Sequence, residues 1–256
     1  MRGARATTLG TLLGGLACVG AAAALSYPRW RPWCLTWGAS EKEVDATLPG
    51  DELLPEPDVI TTRAIHVEVP PARIWPWLVQ MGPGRAGAYT YDWIENLAGL
   101  NMHSAHEILP QFQDLDVGDG WRLGSKGPVL RVASFEPETS LVLRSDDGNW
   151  VWAFALASDA TGTRLVSRNR IRQPGASCLA RMFTRYVMEP GSLVMERKML
   201  LGIKARAERL AARAGSPSPF TPDRRAATMP PPPAPPGPPH RAAEGCPGRR
   251  RAGGRE

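Results

Sequence analysis

Cysteine is scarce in this chain of 256 residues, and its four cysteines lie far apart in the sequence. They are Cys18, Cys34, Cys178 and Cys246, and no C-x-x-C pair occurs. Disulfide frameworks and zinc sites both need cysteines at short, paired spacings. The sequence therefore indicates neither kind of site, and we expect no metal ion and no cofactor.

The body of the chain also lacks an excess of either charge, although the whole chain carries a net charge of +6. That excess comes from Arg2 and Arg5 at the start and from an arginine-rich tail, which leaves residues 6–213 formally neutral. A nucleic-acid groove would need a basic face on the folded part of the chain. We therefore expect no nucleic acid among the partners.

Signatures of two widespread site designs are absent as well. The chain contains no G-x-S-x-G nucleophile elbow, so a serine-hydrolase arrangement finds no support. Its glycine-rich stretch GPGRAGAY, at 82–89, does not end in G-K-[S/T], and no strand is predicted directly before it. A phosphate-binding loop would need both features, so a nucleotide site is not indicated.

Charged residues are missing from one long run, residues 9–25, which is rich in alanine, glycine and leucine. Its seventeen residues, at about 1.5 Å each, just reach across a thin hydrocarbon core. Trp30 and Trp33 follow it beside Arg29 and Arg31, as in the belts of membrane interfaces. Residues 1–30 are therefore predicted to form an N-terminal apolar helix, a single-pass membrane anchor at 9–25.

Two questions about this anchor stay open in the sequence. A cleaved signal peptide is the alternative, since the small residues at 22–24 would suit a signal peptidase. Arginines flank both ends of the run, so the positive charge that marks the cytoplasmic side of a membrane does not decide the orientation. We take the cytoplasmic side as the working expectation for the folded part.

Proline is concentrated at the other end of the chain. Twelve of the 26 prolines lie beyond residue 213, including the run MPPPPAPPGPP. A segment of this composition cannot bury enough apolar surface to offset the entropy lost on ordering. Residues 213–256 are therefore predicted to be a disordered Pro/Arg-rich tail, which leaves one domain at 31–212.

Patterns typical of strands fill most of that domain. Residues 38–58 are interpreted as an irregular lead-in, residues 60–69 alternate as a strand does, and Pro71 suits the first position of a helix. A short helix is predicted at Asp92, with Glu95 completing a capping box. After a connection at 101–118, stretches separated by turn signals predict antiparallel strands: GWRLG, VLRVASF, SLVLRS, NWVWAFALAS and TRLVSRNRIR.

Alternation along the last two strands predicts which face is buried. Trp150, Trp152 and Phe154 share one face of the first of them. One side of the other carries a row of arginines, namely Arg164, Arg168, Arg170 and Arg172. Because arginines are expected to face water, the aromatic side chains are predicted to face the interior.

A long amphipathic helix is predicted to close the domain. Glu196 lies on its polar side, and Gly202 would let another backbone come close. Its apolar stripe consists of Met195, Met199, Ile203, Ala207 and Leu210. CLARMFTRYVM, just before it, is predicted to be a separate short helix. Helices that frame a run of antiparallel strands give an α+β fold class.

Three passages resemble the START-like helix-grip superfamily, also called SRPBCC, which includes polyketide cyclases and lipid-transfer domains. They are TTRAIHVEVPPARIWPWLVQMG, the strand pairs RVASFEPETSLVLRS and WVWAFALASDATGTRLVSRNRI, and the helix MERKMLLGIKARAE. More narrowly, RPWCLTWGAS, PDVITTRAI, YTYDWIEN and LPQFQDLDVGD resemble an uncharacterised bacterial subgroup, in which many members have a membrane segment in front. The resemblance implies a curved antiparallel sheet wrapped around the long C-terminal helix, with a hydrophobic cavity between them.

The chain departs from that superfamily at residues 88–118. Relatives usually have another strand there, whereas this chain has aromatic and polar residues. We therefore expect a remodelled cavity mouth, gated by Tyr89, Tyr91 and Trp93. The predicted ligand contacts are Trp77, Tyr89, Tyr91, Trp93, Trp121, Trp150, Trp152, Phe154, Met195 and Met199.

The leading hypothesis is a binding domain for a hydrophobic small molecule or lipid. The alternative is an enzyme of the polyketide cyclase/dehydratase kind. In it, Asp92 would act as a base and a Tyr hydroxyl would donate a hydrogen bond to the enolate oxygen. The candidate catalytic residues are Asp92, Tyr91 and His103. A third hypothesis is a scaffold that contacts partners through its Pro-rich tail. His103, His106 and Glu107 do not have the spacing of H-E-x-x-H, so a metal site is not favoured.

Overall fold

The computed structural model describes residues 26–97, 99–125 and 127–215. The predicted anchor at 9–25 and the tail from residue 216 onward lie outside the described residues. Within the described ranges, no helix combines the length and the apolar character needed to cross a bilayer.

One antiparallel sheet of six strands forms the centre of the domain, in the order β1-β6-β5-β4-β3-β2. The strands are β1 (Val59–Val67), β2 (Gly120–Arg122), β3 (Val129–Glu136), β4 (Ser140–Ser145), β5 (Trp150–Asp159) and β6 (Gly162–Ile171). Each agrees with a stretch that the alternation of side chains predicted. The first strand in the chain pairs with the last, so β2 to β6 form a meander that returns to β1.

The helices precede and follow this meander. They are α1 (residues 26–35), α2 (Glu41–Asp45), α3 (Pro71–Val79), α4 (Asp92–Leu97), α5 (Cys178–Phe183) and α6 (Glu189–Gly215). A π turn, Thr184–Met188, joins α5 to α6. Short 3-10 turns lie at Asp51–Leu53 and Pro110–Phe112. α3 begins at Pro71, as predicted, because a proline at that position costs no helical hydrogen bond.

The main core lies where the curved sheet faces α3 and α6. Trp77 of α3, Phe154 of β5 and Ile203 of α6 are all buried in this cluster. Gly202 lets α6 cross the backbone near Tyr89, since a Cβ atom at Gly202 would lie 2.5 Å from the Tyr89 carbonyl oxygen. The prediction that Gly202 permits a close backbone approach is confirmed.

The predicted solvent exposure of the arginine row on β6 is wrong. The side chain of Arg168 is only 3% exposed, because the lead-in at 38–58 folds over this face of the sheet. Its guanidinium donates to three carbonyl oxygens and a carboxylate of that segment, those of Glu43, Val44, Ala46 and Asp51. A second, smaller core forms beneath it from Leu54, Val142, Val151 and Ala153. The aromatic residues face the opposite side, as predicted.

The predicted capping box at the start of α4 is also wrong. Asp92 is the first residue of the helix, and its carboxylate accepts hydrogen bonds from the Ser104 amide and hydroxyl, at 2.7 and 2.5 Å. Glu95 is buried instead of reaching back to the helix start. Asp92 therefore fastens the segment after α4 to the helix.

Candidate ligand cavity

A cavity of about 450 Å³ lies between the sheet, α6 and the segment that contains α4. Its wall is largely apolar. The sheet contributes side chains from β1, β5 and β6, and the π turn and α6 form the facing wall. The lining residues central to the chemistry are Thr90, Glu95, Trp150, Trp152, Asn169, Met188, Met195, Glu196 and Met199.

The sheet side of the cavity is a pair of stacked indoles. The rings of Trp150 and Trp152 lie 5.9 Å apart at an interplanar angle of 16°. Trp150 Nε1 donates to Asn169 Oδ1 and Trp152 Nε1 donates to Ser167 Oγ, both at 2.9 Å. Because both polar atoms are satisfied at the sheet, the rings are fixed in place and offer the cavity an apolar surface.

The opposite wall is formed by methionines. Met195 and Met199 lie one helical turn apart on α6, and Met188 lies on the π turn that precedes α6. Unbranched thioether side chains adapt to irregular apolar surfaces. The cavity therefore combines a rigid aromatic wall with a deformable one.

A buried ion pair lies at the edge of this cavity. Arg63 of β1, whose side chain is fully inaccessible, donates to Glu196 of α6, which is itself a lining residue. Arg63 also donates to the Cys34 carbonyl oxygen and to Ser192 Oγ, at 3.0 to 3.2 Å. Burial raises the pKa of the Glu196 carboxyl, and the neighbouring Arg63 guanidinium opposes that rise.

Sequence reasoning missed this pair. Glu196 had been placed on the polar side of the closing helix, yet it stands three residues before Met199 and seven before Ile203. That spacing puts it on the same face as both residues. The spacing was therefore the available signal, and the charge of Glu196 concealed it.

A second acidic residue, Glu95 of α4, faces the cavity without an ion-pair partner among the described residues. Its side chain lies buried, and Oε2 makes no hydrogen bond. Burial raises the pKa of the Glu95 carboxyl; the nearby Thr90 hydroxyl opposes the rise and the charge of Asp92 adds to it. The carboxyl group of Glu95 is therefore held towards its neutral form.

No family model matches the chain, and no curated protein matches it. Among solved structures, an AHSA1-like protein from Aeromonas hydrophila is similar at 18% identity, covering 60% of this chain and 94% of its own, with a TM-score of 0.33. A Polyketide_cyc-like protein from Corynebacterium glutamicum is similar at 16% identity, over 60% and 87% of the two chains, with a TM-score of 0.28. A protein from Mesorhizobium loti is similar at 18% identity, over 59% and 98%, with a TM-score of 0.36.

AHSA1-like and Polyketide_cyc-like proteins are thus among the structural neighbours. The chain's own topology shows a curved antiparallel sheet closed by a long C-terminal helix. This is a helix-grip fold. The space between its sheet and α6 is called the helix-grip cavity below.

Four of the predicted ligand contacts line the helix-grip cavity: Trp150, Trp152, Met195 and Met199. Three others lie in the core, namely Trp77, Tyr89 and Phe154, each at most 1% exposed. Phe154 packs beyond Trp152 along β5, with ring centroids 4.9 Å apart. The cavity thus occupies one end of the concave face, and helix packing fills the other.

Tyr89 was predicted to be part of the gate and is instead a core residue. Its hydroxyl donates to the Trp77 carbonyl oxygen at 2.9 Å and accepts from Gln80 Nε2 at 3.0 Å. Burial raises the pKa of this hydroxyl, so it stays protonated. Its φ of 59° lies in the left-handed region, so the chain turns sharply just before the segment that contains α4.

The other predicted gate residues are exposed. Trp93 is 69% exposed and Tyr91 is 37% exposed. The Lys198 ammonium nitrogen lies over the Tyr91 ring, 5.5 Å from the ring centroid. Trp121 is half-buried and packs at Gly82, outside the cavity lining. None of these three side chains lines the cavity wall.

The candidate catalytic residues do not converge in the cavity. Asp92 is engaged with Ser104, and neither Tyr91 nor His103 lines the cavity. His103 and His106 are both exposed. Across the described ranges, no three His, Cys, Asp or Glu side chains are grouped so as to hold a metal ion.

Proposed function

We propose that the domain at 31–212 binds a hydrophobic small molecule or a lipid in the helix-grip cavity. The observation that carries this proposal is the wall of fixed indoles facing methionines across about 450 Å³. Cavities of a few hundred Å³ with mostly apolar walls suit ligands of drug size. The hydrogen bonds that hold Trp150 and Trp152 to β6 oppose collapse of the cavity, so they favour a binding role over simple core filling.

A neutral apolar dye, N-phenyl-1-naphthylamine, tests this proposal because its fluorescence rises in apolar surroundings. The full chain should bind it saturably at one site. Met195→Trp should fill the cavity and abolish that binding. Val194→Trp, at an exposed position on the same helix, should preserve it. Absence of saturable binding to the unaltered chain, or equal binding by the two variants, would contradict the proposal.

The finer part of the proposal is that the protein is held at a membrane by residues 9–25, with the domain on the cytoplasmic side. The support is the uncharged run itself and the Trp/Arg cluster that follows it. Membrane fractions of cells expressing the full chain test it. Leu12→Arg with Leu16→Arg should release the protein from washed membranes, whereas Thr8→Arg with Thr7→Arg, just outside the run, should not. Equal retention of both variants argues against an anchor at 9–25.

A further inference from the structure

Two buried polar atoms face the helix-grip cavity without a hydrogen-bond partner among the described residues. They are Oε2 of Glu95 and Oγ1 of Thr90, and both residues line the cavity from the segment that contains α4. The two groups are neighbours, but no hydrogen bond of acceptable geometry joins these two atoms. Buried polar groups in native proteins are nearly always paired, so these two atoms are candidates to contact a polar group of a ligand.

The other polar groups of this cavity are already engaged. Asn169 accepts from Trp150 and donates to Glu196, and Glu196 accepts from Arg63. Ser192 donates to the Glu189 carbonyl oxygen. Glu95 and Thr90 thus provide free hydrogen-bonding capacity in a wall that is otherwise apolar or satisfied.

We infer that the Glu95 carboxyl and the Thr90 hydroxyl bind the single polar group of an otherwise apolar ligand. The carboxyl O–H donates to a ligand oxygen, and the Thr90 hydroxyl completes the contact. The matching ligand class is an apolar molecule with one carbonyl oxygen, such as a ketone, an ester or a protonated fatty acid. This inference rests on the proposed function and specifies its ligand.

A matched pair of dyes tests the inference in the full chain. Prodan, 6-propionyl-2-(dimethylamino)naphthalene, carries one carbonyl group, and its emission shifts to the red when that group accepts a hydrogen bond. Its 6-propyl counterpart lacks the carbonyl. Loss of one neutral hydrogen bond corresponds to a weakening of about tenfold. Glu95→Leu should therefore weaken prodan binding about tenfold and shift the bound emission to the blue, while the propyl dye should bind at least as well as before.

Glu95→Gln is the control, because its amide still donates a hydrogen bond; it should keep prodan affinity within about threefold. Thr90→Val should weaken prodan binding and leave the propyl dye unaffected. If both dyes bind the unaltered chain but Glu95→Leu changes their affinities equally or not at all, the Glu95 inference fails while the cavity stands. If neither dye binds the unaltered chain, the proposed function itself fails.

A separate observation concerns the surface of α5 and the π turn that follows it. Six large apolar side chains here are between 36% and 77% exposed: Leu179, Met182, Phe183, Tyr186, Val187 and Met188. So many exposed apolar side chains within eleven residues are uncommon on a soluble surface and mark an interaction site.

The charged residues of this surface are basic. No acidic residue occurs between Pro174 and Met188, whereas Arg181 and Arg185 are both exposed. Arg181 contacts Asp58, and Arg185 lies over the Tyr186 ring.

This surface, called the α5 surface below, adjoins both the cavity and the start of the described chain. Thr184 and Met188 line the cavity. The ring of Tyr27 in α1 packs on Tyr186, with centroids 5.6 Å apart.

We propose that the α5 surface docks onto a bilayer containing anionic lipids. The apolar side chains enter the interface, and the arginines meet lipid phosphates. The wall of the helix-grip cavity that Thr184 and Met188 form then lies at the bilayer. This proposal does not depend on an anchor at 9–25.

Vesicle co-sedimentation tests the docking in the full chain carrying Leu12→Arg and Leu16→Arg, so that the apolar run contributes little. In this background, binding to phosphatidylcholine vesicles with added phosphatidylglycerol should exceed binding to phosphatidylcholine alone. Phe183→Glu should reduce that binding at least about fivefold, since it puts a charge on the interface. Val117→Glu, at an exposed position outside the α5 surface, should leave it unchanged.

Equal binding by these two variants would refute the docking. So would absence of vesicle binding combined with a Phe183-dependent dimer in size-exclusion chromatography, because the occupant would then be a second copy of the chain. Equal binding to phosphatidylcholine vesicles with and without phosphatidylglycerol would show that the arginines do not contact lipid phosphates, and it would overturn the proposal as stated.

Discussion

Arg63 and Glu196 form an ion pair in the interior that joins the first strand of the sheet to the last helix. The pair borders the helix-grip cavity, and Asn169 connects it to the Trp150 indole. The rigidity of the aromatic wall is thereby linked to the contact between β1 and α6.

Loss of one partner of this pair should be severe. Arg63→Met leaves the Glu196 carboxylate buried without its cation, and such losses cost about 3–5 kcal/mol. Urea unfolding monitored by tryptophan fluorescence measures the change. The double variant Arg63→Met/Glu196→Met should lose clearly less than the sum of the two single variants. Additive losses would mean that the two residues act independently.

Gly202→Ala should destabilise the domain, because the new methyl group would lie 2.5 Å from the Tyr89 carbonyl oxygen. A loss of about 1–3 kcal/mol in the free energy of unfolding is expected for such overpacking. Gly191→Ala is a control on the same helix, where a methyl group meets nothing within 4 Å. It should stabilise by up to about 1 kcal/mol. Equal effects of the two changes would show that α6 does not cross at Gly202.

Two methionines of α6 should differ in their response to truncation. Met199 is 1% exposed and packs into the main core, so Met199→Ala should cost about 2–5 kcal/mol. Met195 is half-buried at the cavity, so Met195→Ala should cost less than about 1.5 kcal/mol and should enlarge the space available to a dye. Thermal unfolding and dye titration on the same samples measure both. A larger stability loss at Met195 would contradict the assignment of these walls.

Glu43 of the lead-in forms an ion pair with Arg164 of β6, with 2.6 Å between Oε1 and Nε, and this ion pair should make stability depend on acid pH. Burial alone would raise the pKa of Glu43, but hydrogen bonds from Arg164 and Ser40 outweigh it and lower that pKa to about 2. Because the folded-state pKa lies below the unfolded one, the stability from Glu43 is fully present above the unfolded value of about 4.5. It is lost as the pH falls from there towards 2.

Glu43→Gln should therefore reduce the stability at neutral pH and flatten the slope of stability against pH between about 4.5 and 2. Glu41→Gln, on the exposed side of the same short helix, is the matched control. Parallel pH profiles for the unaltered chain and Glu43→Gln would show that the ion pair of Glu43 with Arg164 does not contribute to stability.

The sequence predicted the strands and the closing helix because their patterns are local. Alternation along β5 and β6 is set by the two-residue repeat of a strand, and Pro71 and Gly202 each report a backbone requirement at their own position. The burial of Arg168 was not predictable in this way. It depends on the lead-in segment, which lies more than a hundred residues earlier in the chain and supplies carbonyl oxygens that have no signature in the sequence.

The candidate site could be predicted only in part, because its position depends on contacts between distant parts of the chain. Alternation places Trp150, Trp152 and Phe154 on one face of β5, but it does not tell which end of that face stays open. The structure puts Phe154 in the core and the two tryptophans on the cavity wall. The spacing of Glu95 from Asp92 predicted a capping box. In the structure, Asp92 binds Ser104 instead, and Glu95 lines the cavity.

The central claim is that an apolar molecule occupies the helix-grip cavity, and methyl NMR of 13C-methyl-methionine-labelled full chain tests it most directly. Titration with N-phenyl-1-naphthylamine should shift the resonances of the four lining methionines, Met102, Met188, Met195 and Met199. Met81, buried elsewhere, and Met182, exposed on α5, should stay in place. Shifts at Met182 without shifts at Met195 and Met199 would contradict the account, because the dye would then occupy the outer surface rather than the cavity.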